Sequence, residues 1–461
     1  MNPRLALAVT AGKAAGLAVR RMGRGGGTAL PGLVAERVDP GLVGHLAGQL
    51  ARGRVTISGT NGKTTTSRVL ASILQAAGAP FVHNREGSNL MRGLASTLLG
   101  AASASGAIPG ARASYGLFEV DEATLPLAMP HLRPTVLGFT NLFRDQLDRY
   151  GEVDTVFSLW REALAKAPRD ATLVLNADDP SVAELAVGWS GPVHWYGLDD
   201  DAFATVAAGA TDARWCRTCG GSYRYDRRYF AHVGIWRCRG CERQRPAPDT
   251  EARDVRLSLG DASFEVPGVG ALRMGLTGIY NVYNALAAVS IARVLRLPET
   301  AIAAGVLAAQ PAFGRQEVVD LKGRRLHLLL CKNPAGANQV LLLLASVGGA
   351  GLKVATLLND RFADGQDVSW TWDVDYEVLA GSVGRCWAGG DRAEDMALRL
   401  TYAGWPRCEA VVHEPAALLD AILAGSAPGE DVFVVPTYTA MLDLRAELVA
   451  RGAAQPFFET A

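Results

Sequence analysis

Two periodicities alternate along this chain. Short runs of β-branched and aliphatic residues end in turn residues, and behind them come longer stretches with apolar positions every three or four residues. The sharpest case is Arg54-Val55-Thr56-Ile57, which enters a turn at Gly59. After Gly62-Lys63-Thr64, apolar residues fall at Val69, Leu70, Ile73 and Leu74, one face of a helix. Tyr115 to Val120, Thr135 to Phe139 and Leu173 to Asn176 read as further buried strands. Beyond Pro311 the pattern restarts, with strands at Leu326 to Leu330, Val354 to Leu358 and Val432 to Val435. Strands alternating with helices predict an α/β fold with mostly parallel, doubly wound sheets. Residues 1–50 read as helical and Gly-rich, with Gly25-Gly26-Gly27 as a break. The expected division is a helical segment (1–45), a central α/β domain (46–310) interrupted by an insertion (211–245), and a C-terminal α/β domain (311–461).

The polar residues at the strand ends carry the chemistry. Gly59-Thr60-Asn61-Gly62-Lys63-Thr64-Thr65 joins a strand to a helix. Glycines let a backbone wrap a polyphosphate without Cβ clashes, and turn N–H groups and a helix N-terminus face its oxygens. Lys63 is placed for the β- and γ-phosphates and Thr64 for Mg²⁺. The spacing departs from G-x-x-x-x-G-K-[ST]: Ile57 stands where the first Gly would be, and Gly59 comes later. Glu119 closes its strand, and ligands of open α/β sheets collect at such carboxyl ends. A carboxylate there suits Mg²⁺, directly or one layer out. A solvated turn is expected for at least one of Asp121 and Glu122. The polar stretch Asn84 to Leu90 reads equally as a phosphate or substrate loop and as a plain connection.

Composition narrows the class. The 461 residues carry 46 basic and 46 acidic side chains, so the formal net charge is zero and bulk attraction to nucleic acid is not indicated. A hydrophobic share of 49% with 20% charged residues suits a globular chain with a large core. No apolar run reaches membrane-spanning length. Met1 to Arg24 is basic and Ala/Leu-rich like a signal peptide, but Lys13 interrupts its apolar run. It reads as a surface helix near a membrane face, in a cytoplasmic protein.

Four of the seven cysteines form two C-x₂-C knuckles, Cys216/Cys219 and Cys238/Cys241, with 18 residues between them. That spacing closes a tetrahedral Zn²⁺ site with all four positions filled, hence a structural rather than catalytic zinc. A redox dithiol pair and a pair of disulfides are the alternatives. Tyr223, Tyr225, Tyr229, Phe230 and Trp236 between the knuckles suit a small ribbon with little core of its own.

The order of motifs resembles the Mur ligase superfamily, which makes amide bonds in peptidoglycan and folylpolyglutamate synthesis. The matching pieces are the Gly59–Thr65 turn, Glu119, Thr140-Asn141-Leu142 with Asp145 and Asp148, and Asn176-Ala177-Asp178-Asp179-Pro180. Gly278-Ile279-Tyr280-Asn281-Val282-Tyr283-Asn284-Ala285 and Gly314-Arg315-Gln316-Glu317 follow. The resemblance implies ATP-driven formation of an acyl phosphate. It implies that Lys63 and Thr64 hold phosphates and metal, that Glu119 binds Mg²⁺, that Asn281 or Asn284 contacts adenine, and that Arg315 faces the phosphates. Gln146 stands where many members carry His. Lys166 is the lysine nearest the position where many carry a carbamylated Lys, but it sits in an ordinary helical pattern. A zinc ribbon inside such a core narrows the resemblance to the ligase-type subunits of lipid II isoglutaminyl synthases. With the C-terminal stretches it covers roughly residues 40–455.

That branch implies a partner, a GatD-like glutaminase subunit with a Cys-His pair whose triad a carboxylate from this chain completes. Asp360 and Asp364 are the candidates, from an acid-rich loop whose five Asp residues (360, 364, 367, 373, 375) would repel one another without a cation, donors or a partner. A Mg²⁺ or substrate-amine site is the alternative for this loop, and turn-capping accounts for most of its members. Cys331 lacks a nucleophile-elbow context, so the chain carries no glutaminase of its own. The expected activity is ATP-dependent amidation of the D-glutamate α-carboxyl of lipid II. The alternatives are a stand-alone ligase that adds an amino acid and a non-catalytic nucleotide-binding scaffold.

Overall fold

The computed structural model describes residues 2–21, 30–84, 88–144, 153–203, 212–310, 315–347 and 349–455. The central sheet is built first. Its strands are β1 (Gly53–Ser58), β2 (Phe81–His83), β3 (Tyr115–Glu119), β4 (Val136–Phe139), β5 (Thr172–Asn176) and β6 (Val193–Leu198). The ribbon hairpin follows as β7 (Tyr223–Phe230) and β8 (Val233–Cys238), then β9 (Thr250–Leu257), β10 (Ala262–Val266) and β11 (Gly270–Met274). Nine of these form one sheet in the order β11-β10-β9-β6-β5-β4-β1-β3-β2. From β2 to β9 every pairing is parallel, and β9, β10 and β11 continue as an antiparallel meander.

The chain runs from β1 to β2 and β3 on one side and then returns to β4 on the other. The carboxyl end of β1 therefore lies at the switch point of the sheet, where open α/β sheets hold ligands. β-branched Val55-Thr56-Ile57 favours the extended run, and Val55 and Ile57 are fully buried. β3 sends Tyr115 and Leu117 to one face and Phe118 to the other, so both faces are covered. One face carries the helices Lys63–Ala76, Ile279–Val294 and Glu299–Ala308. The other carries Met91–Ala101, Leu125–Leu132 and Val153–Lys166.

The N-terminal helices share that second core. Pro3–Arg21 packs on Leu30–Val38 and buries Leu5, Ala8 and Val9, while Leu7 and Leu17 stay exposed. Among the described residues no helix is long and apolar enough to cross a membrane.

The C-terminal sheet comprises β12 (Arg315–Leu321), β13 (Arg324–Leu329), β14 (Leu352–Leu357), β15 (Val383–Gly389), β16 (Val411–Val412) and β17 (Asp431–Pro436). Its order is β12-β13-β17-β14-β15-β16, parallel apart from the β12–β13 hairpin.

The ribbon has little core of its own, as expected, and leans on the central domain. Tyr229, Phe230 and Val233 belong to the core of the central domain. Trp236 is buried and its indole N–H donates to the Ala177 carbonyl at 2.9 Å. A hairpin of this size has too little apolar surface to fold by itself, and burial against the sheet supplies it.

Candidate nucleotide site and four-cysteine centre

Both glycines of the turn are required by space as well as by conformation. Gly59 (φ 144°) leaves room for Thr140, since a Cβ there would lie 1.9 Å from its Oγ1. Gly62 (φ 85°) caps the helix Lys63–Ala76, and a Cβ on it would lie 1.9 Å from Asn284 Oδ1. The turn is braced from β4. Asn61 N donates to Asn141 Oδ1 at 2.9 Å, and the Asn61 carbonyl accepts from Thr140 Oγ1 at 2.7 Å and Asn141 Nδ2 at 3.0 Å. The Thr60 hydroxyl accepts from Phe143 N at 3.0 Å and donates to Phe143 O at 3.1 Å.

Three functional side chains converge on the first turn of the helix. Lys63 Nζ, almost fully buried, donates to the Gly59 carbonyl, to Thr60 O at 3.3 Å and to Glu122 Oε2 at 3.0 Å. Thr64 Oγ1 donates to Glu119 Oε1 at 3.1 Å. A hydroxyl, a carboxylate and an ammonium thus meet at a helix N-terminus, the donor set that a Mg²⁺-bound polyphosphate takes. Asp121 and Glu122 are both buried, which corrects the expectation of a solvated turn. The Asp121 carboxylate caps Ala123 N at 3.1 Å, and Glu122 pairs with Lys63. Asn84 fixes the Glu119 backbone from both sides, accepting from Glu119 N and donating to Glu119 O, each at 2.8 Å. Of the polar stretch it opens, residues 85–87 lie outside the described residues.

Behind the turn lies a largely apolar cavity shared by the two domains. Thr65, Asn281 and Asn284 line it with Phe143, Phe230 and Tyr283, and Lys332 and Gln339 close it from the C-terminal domain. Asn284 Nδ2 donates to Asn281 Oδ1 at 3.1 Å, and Asn281 Nδ2 to Thr277 O at 2.8 Å. The C-terminal domain reaches the turn directly, since Asn333 Nδ2 donates to Asn61 Oδ1 at 3.1 Å. Arg144 and Asp373 form a second bridge between domains at 3.0 Å. Gly314, Asp145, Gln146 and Asp148 lie outside the described residues, as does the side chain of Arg315, whose backbone opens β12. Lys166 pairs with Glu162 at 2.6 Å on a helix surface, so it behaves as an ordinary helical residue.

Cys216, Cys219, Cys238 and Cys241 place their four sulfurs within 4.8 Å of one another. Two separations are 3.4 Å (Cys219–Cys238) and 3.9 Å (Cys216–Cys241). Zn–S bonds of about 2.3 Å in a tetrahedron put sulfurs about 3.8 Å apart, whereas a disulfide needs about 2.05 Å. Gly221 N and Gly240 N donate to Cys219 Sγ and Cys238 Sγ, stabilising thiolate character in each knuckle. These residues fit Zn²⁺ and do not fit disulfides.

The acid-rich loop after β14 is arranged differently. Asp360 pairs with Arg392 at 3.0 Å, Asp367 caps Ser369 N at 2.8 Å, and Asp373 bridges to Arg144. Asp364, buried, accepts from Thr439 N at 2.8 Å and from the Thr439 hydroxyl; burial pushes its carboxyl up against those bonds. Among the described residues the four cysteines are the one group of three or more His, Cys, Asp or Glu side chains able to share an ion. The carboxylates of this loop form no such group. Cys331 is buried, and burial pushes its thiol well above the ordinary range, which disfavours the thiolate form a nucleophile needs.

Known proteins match this architecture. Residues 57–219 match the Mur ligase middle domain, and residues 330–441 match the MurT ligase C-terminal domain. Among solved structures, a pseudomurein peptide ligase type C from Methanothermus fervidus aligns with TM-score 0.68 at 20% identity, covering 87% of this chain and 79% of that one. MurF from Acinetobacter baumannii aligns with TM-score 0.65 at 20% identity, covering 89% and 80%. Fold and sequence together define a ligase of the Mur type. Two curated relatives, from Streptococcus pneumoniae and Staphylococcus aureus, are both named "Lipid II isoglutaminyl synthase (glutamine-hydrolyzing) subunit MurT". The first is 32% identical over 458 residues, 98% of each chain. The second is 33% identical over 402 residues, 86% of this chain and 87% of its own. The chain belongs to the MurT family.

Three contributors escaped sequence reasoning. Glu122 follows the strand-end Glu119 closely, and its burial against Lys63 depends on the turn after β3. Asn333 lies shortly after the strand Leu326 to Leu330, but its partner Asn61 is 272 residues away. Phe230 was named only among the aromatic residues between the knuckles, with no sign that it lines the cavity.

Proposed function

We propose that this chain is the ATP-dependent amidating subunit of a lipid II isoglutaminyl synthase. ATP activates the α-carboxyl of D-glutamate in the stem peptide as an acyl phosphate. Ammonia displaces the phosphate and leaves D-isoglutamine. The observation that carries the reading is the convergence of Lys63, Thr64 and Glu119 on one helix N-terminus in a chain that matches a MurT relative end to end. Lys63 neutralises charge on the transferring phosphoryl group, which is a positioning and electrostatic task. Thr64 and Glu119 would hold Mg²⁺, which supplies charge neutralisation and alignment of the phosphates. Gly59, Thr60, Asn61, Gly62 and Thr65 shape the cradle, Asn281 and Asn284 face adenine, and Arg315 approaches the phosphates. A structural Zn²⁺ sits on the four cysteines. Its lipid-linked substrate would be met at the inner face of the plasma membrane.

The ammonia comes from a separate GatD-like glutaminase, and Asp360 or Asp364 completes that enzyme's triad by orienting its His. The test is reconstitution of this chain with a glutaminase encoded nearby, followed by mass analysis of lipid II. A product lighter by the O-to-NH exchange, dependent on glutamine and ATP, is expected. Turnover with an amino acid and no glutaminase would instead indicate a stand-alone ligase.

A further inference from the structure

The loop between β7 and β8 is the far end of the cysteine ribbon, and it is also a wall of the nucleotide cavity. The hairpin turns at Ala231 (φ 43°). On one side of the turn Phe230 stacks on Phe143, with ring centroids 6.0 Å apart, and meets Tyr283 edge-on at 5.6 Å. All three rings line the cavity beside Asn281 and Asn284. On the other side His232, fully buried, packs 4.5 Å from the Phe143 ring and places Nε2 3.4 Å from Asp179 Oδ2. Asp179 Oδ2 accepts from Leu142 N at 2.9 Å, and Phe143 is tied at both backbone atoms to the hydroxyl of Thr60 in the phosphate turn. The tip therefore contacts the base end of the cavity and braces the segment that holds Thr60.

At its open end the hairpin is closed by the cysteines. β8 ends at Cys238, and β7 starts four residues after Cys219. Beyond the β7–β8 ladder, the isolated backbone bridges at this end are Trp215–Ser222 and Arg237–Gln244. A two-stranded hairpin is marginal alone, so a metal joining its strand ends fixes the register with which Phe230 and His232 reach the core.

We propose that the four-cysteine centre is a positioning element of the ATP site: metal binding sets the hairpin, and Phe230 at its tip packs against the purine of the bound nucleotide. This rests on the reading that ATP occupies the Lys63 turn. The ligand class is a purine nucleoside triphosphate, and the ribbon acts on its base rather than on its phosphates.

The test measures binding, not turnover. The full-length chain is titrated with a fluorescent ATP analogue in Mg²⁺, and unlabelled ATP and inorganic tripolyphosphate are used as competitors. Phe230→Ala, with its zinc content unchanged, is expected to weaken ATP about tenfold, as loss of an aromatic–base contact does, and to leave tripolyphosphate competition unchanged. Phe230→Leu, which keeps the bulk, should recover folding stability but not the full affinity. Withdrawing zinc with a selective chelator and restoring Mg²⁺ should reproduce the ATP-specific loss. ATP affinity unchanged in Phe230→Ala overturns the proposal, and so does unchanged affinity in a zinc-free chain that retains its circular dichroism. If the zinc-free chain unfolds, Phe230→Ala decides alone. Lys63→Ala separates the two readings: if it binds ATP and tripolyphosphate normally, the phosphate assignment fails, whatever Phe230 does.

Discussion

Two polar loops leave the carboxyl ends of parallel strands in this molecule, and they use charge in opposite ways. After β1, the turn holds one cation, Lys63, and the carboxylates come to it from another strand end: Glu119 at 3.1 Å from Thr64, and Glu122 at 3.0 Å from Lys63. After β14, five aspartates stand in one loop, yet the carboxylates of four of them, Asp360, Asp364, Asp367 and Asp373, go to different partners. Arg392, Thr439, Ser369 and Arg144 each take one. Density of like charge along the sequence is thus a poor sign of a cation site, and convergence of unlike donors at a helix N-terminus is a good one. The first arrangement keeps charges buried together for a ligand to engage. The second spends them on loop shape and on the junction between domains.

The sharpest way to break this contrast is to remove charge from each loop and vary the nitrogen source. Lys63→Ala should cut amidation driven by glutamine or by free ammonia alike, by about 10³–10⁵-fold, the scale on which a cation at a transferring phosphoryl group acts. It also leaves Glu122 buried without its ion pair, so the melting temperature must be measured with the rate. Ammonia-driven product at near-normal rate in Lys63→Ala would end the nucleotide assignment.

Next in size is the acidic loop. If Asp360 or Asp364 serves the His of a partner glutaminase, alanine there should cut glutamine-driven amidation by about 10³–10⁴-fold and spare the ammonia-driven rate. The two positions differ in a readable way. Asp364 is held by Thr439 through both oxygens, so Asp364→Ala should also lower the melting temperature. The Asp360–Arg392 pair is about a third exposed, and its loss should cost about 0–1 kcal/mol. A variant that stays inactive with ammonia has no triad role.

The same contrast explains what was legible in the sequence. The Gly59–Thr65 turn is carried by contiguous residues that set its local conformation, so the turn and the helix behind it could be read directly. Strands β3, β4, β5, β13, β14 and β17 were also visible, because burial on both faces makes them continuous apolar runs. The meander β9–β11 was missed: Thr250–Leu257 alternates polar and apolar residues, with Arg253, Asp254 and Arg256 outward, and resembles a loop until its neighbours are known. The ribbon's cysteines were read from spacing, but the destination of Tyr229, Phe230 and Trp236 was not. Aromatic residues in a small insertion look the same whether they pack on each other or on a domain across the chain. The Lys63–Glu122 and Asn61–Asn333 contacts depend on topology, which spacing does not encode.

A buried carboxylate elsewhere behaves unlike those of the loop. Asp178 is fully buried and accepts from Arg245 Nε at 2.5 Å, Tyr283 OH at 2.6 Å and Leu198 N at 2.7 Å. Burial pushes its carboxyl up, and Arg245 opposes that. It ties the end of β6 and the segment that follows the ribbon to the helix bearing Asn281 and Asn284. Asp178→Ala strands the Arg245 guanidinium and the Tyr283 hydroxyl, and should cost about 3–5 kcal/mol in denaturant unfolding. The double variant Asp178→Ala/Arg245→Met should recover part of that loss, because the orphaned charge is gone. A cost below about 1 kcal/mol for the single variant would mean that water replaces the carboxylate.

The smallest expected effect probes how the domains meet. Asn333 donates to Asn61 across the junction, and its own Oδ1 caps Gly336 N at 2.8 Å. One neutral hydrogen bond contributes about 1 kcal/mol, so Asn333→Ala should raise the KM for ATP about fivefold if the contact holds the turn in its binding shape. The lost cap on the helix Pro334–Val347 contributes a stability change of similar size, which Asn333→Asp distinguishes: it keeps an acceptor for Gly336 N but offers no donor to Asn61. If Asn333→Asp matches the parent in melting temperature and still shows the raised KM, the junction acts on the turn. If its KM is normal, the contact with Asn61 is incidental, and the C-terminal domain contributes to the nucleotide site only by closing the cavity with Lys332 and Gln339.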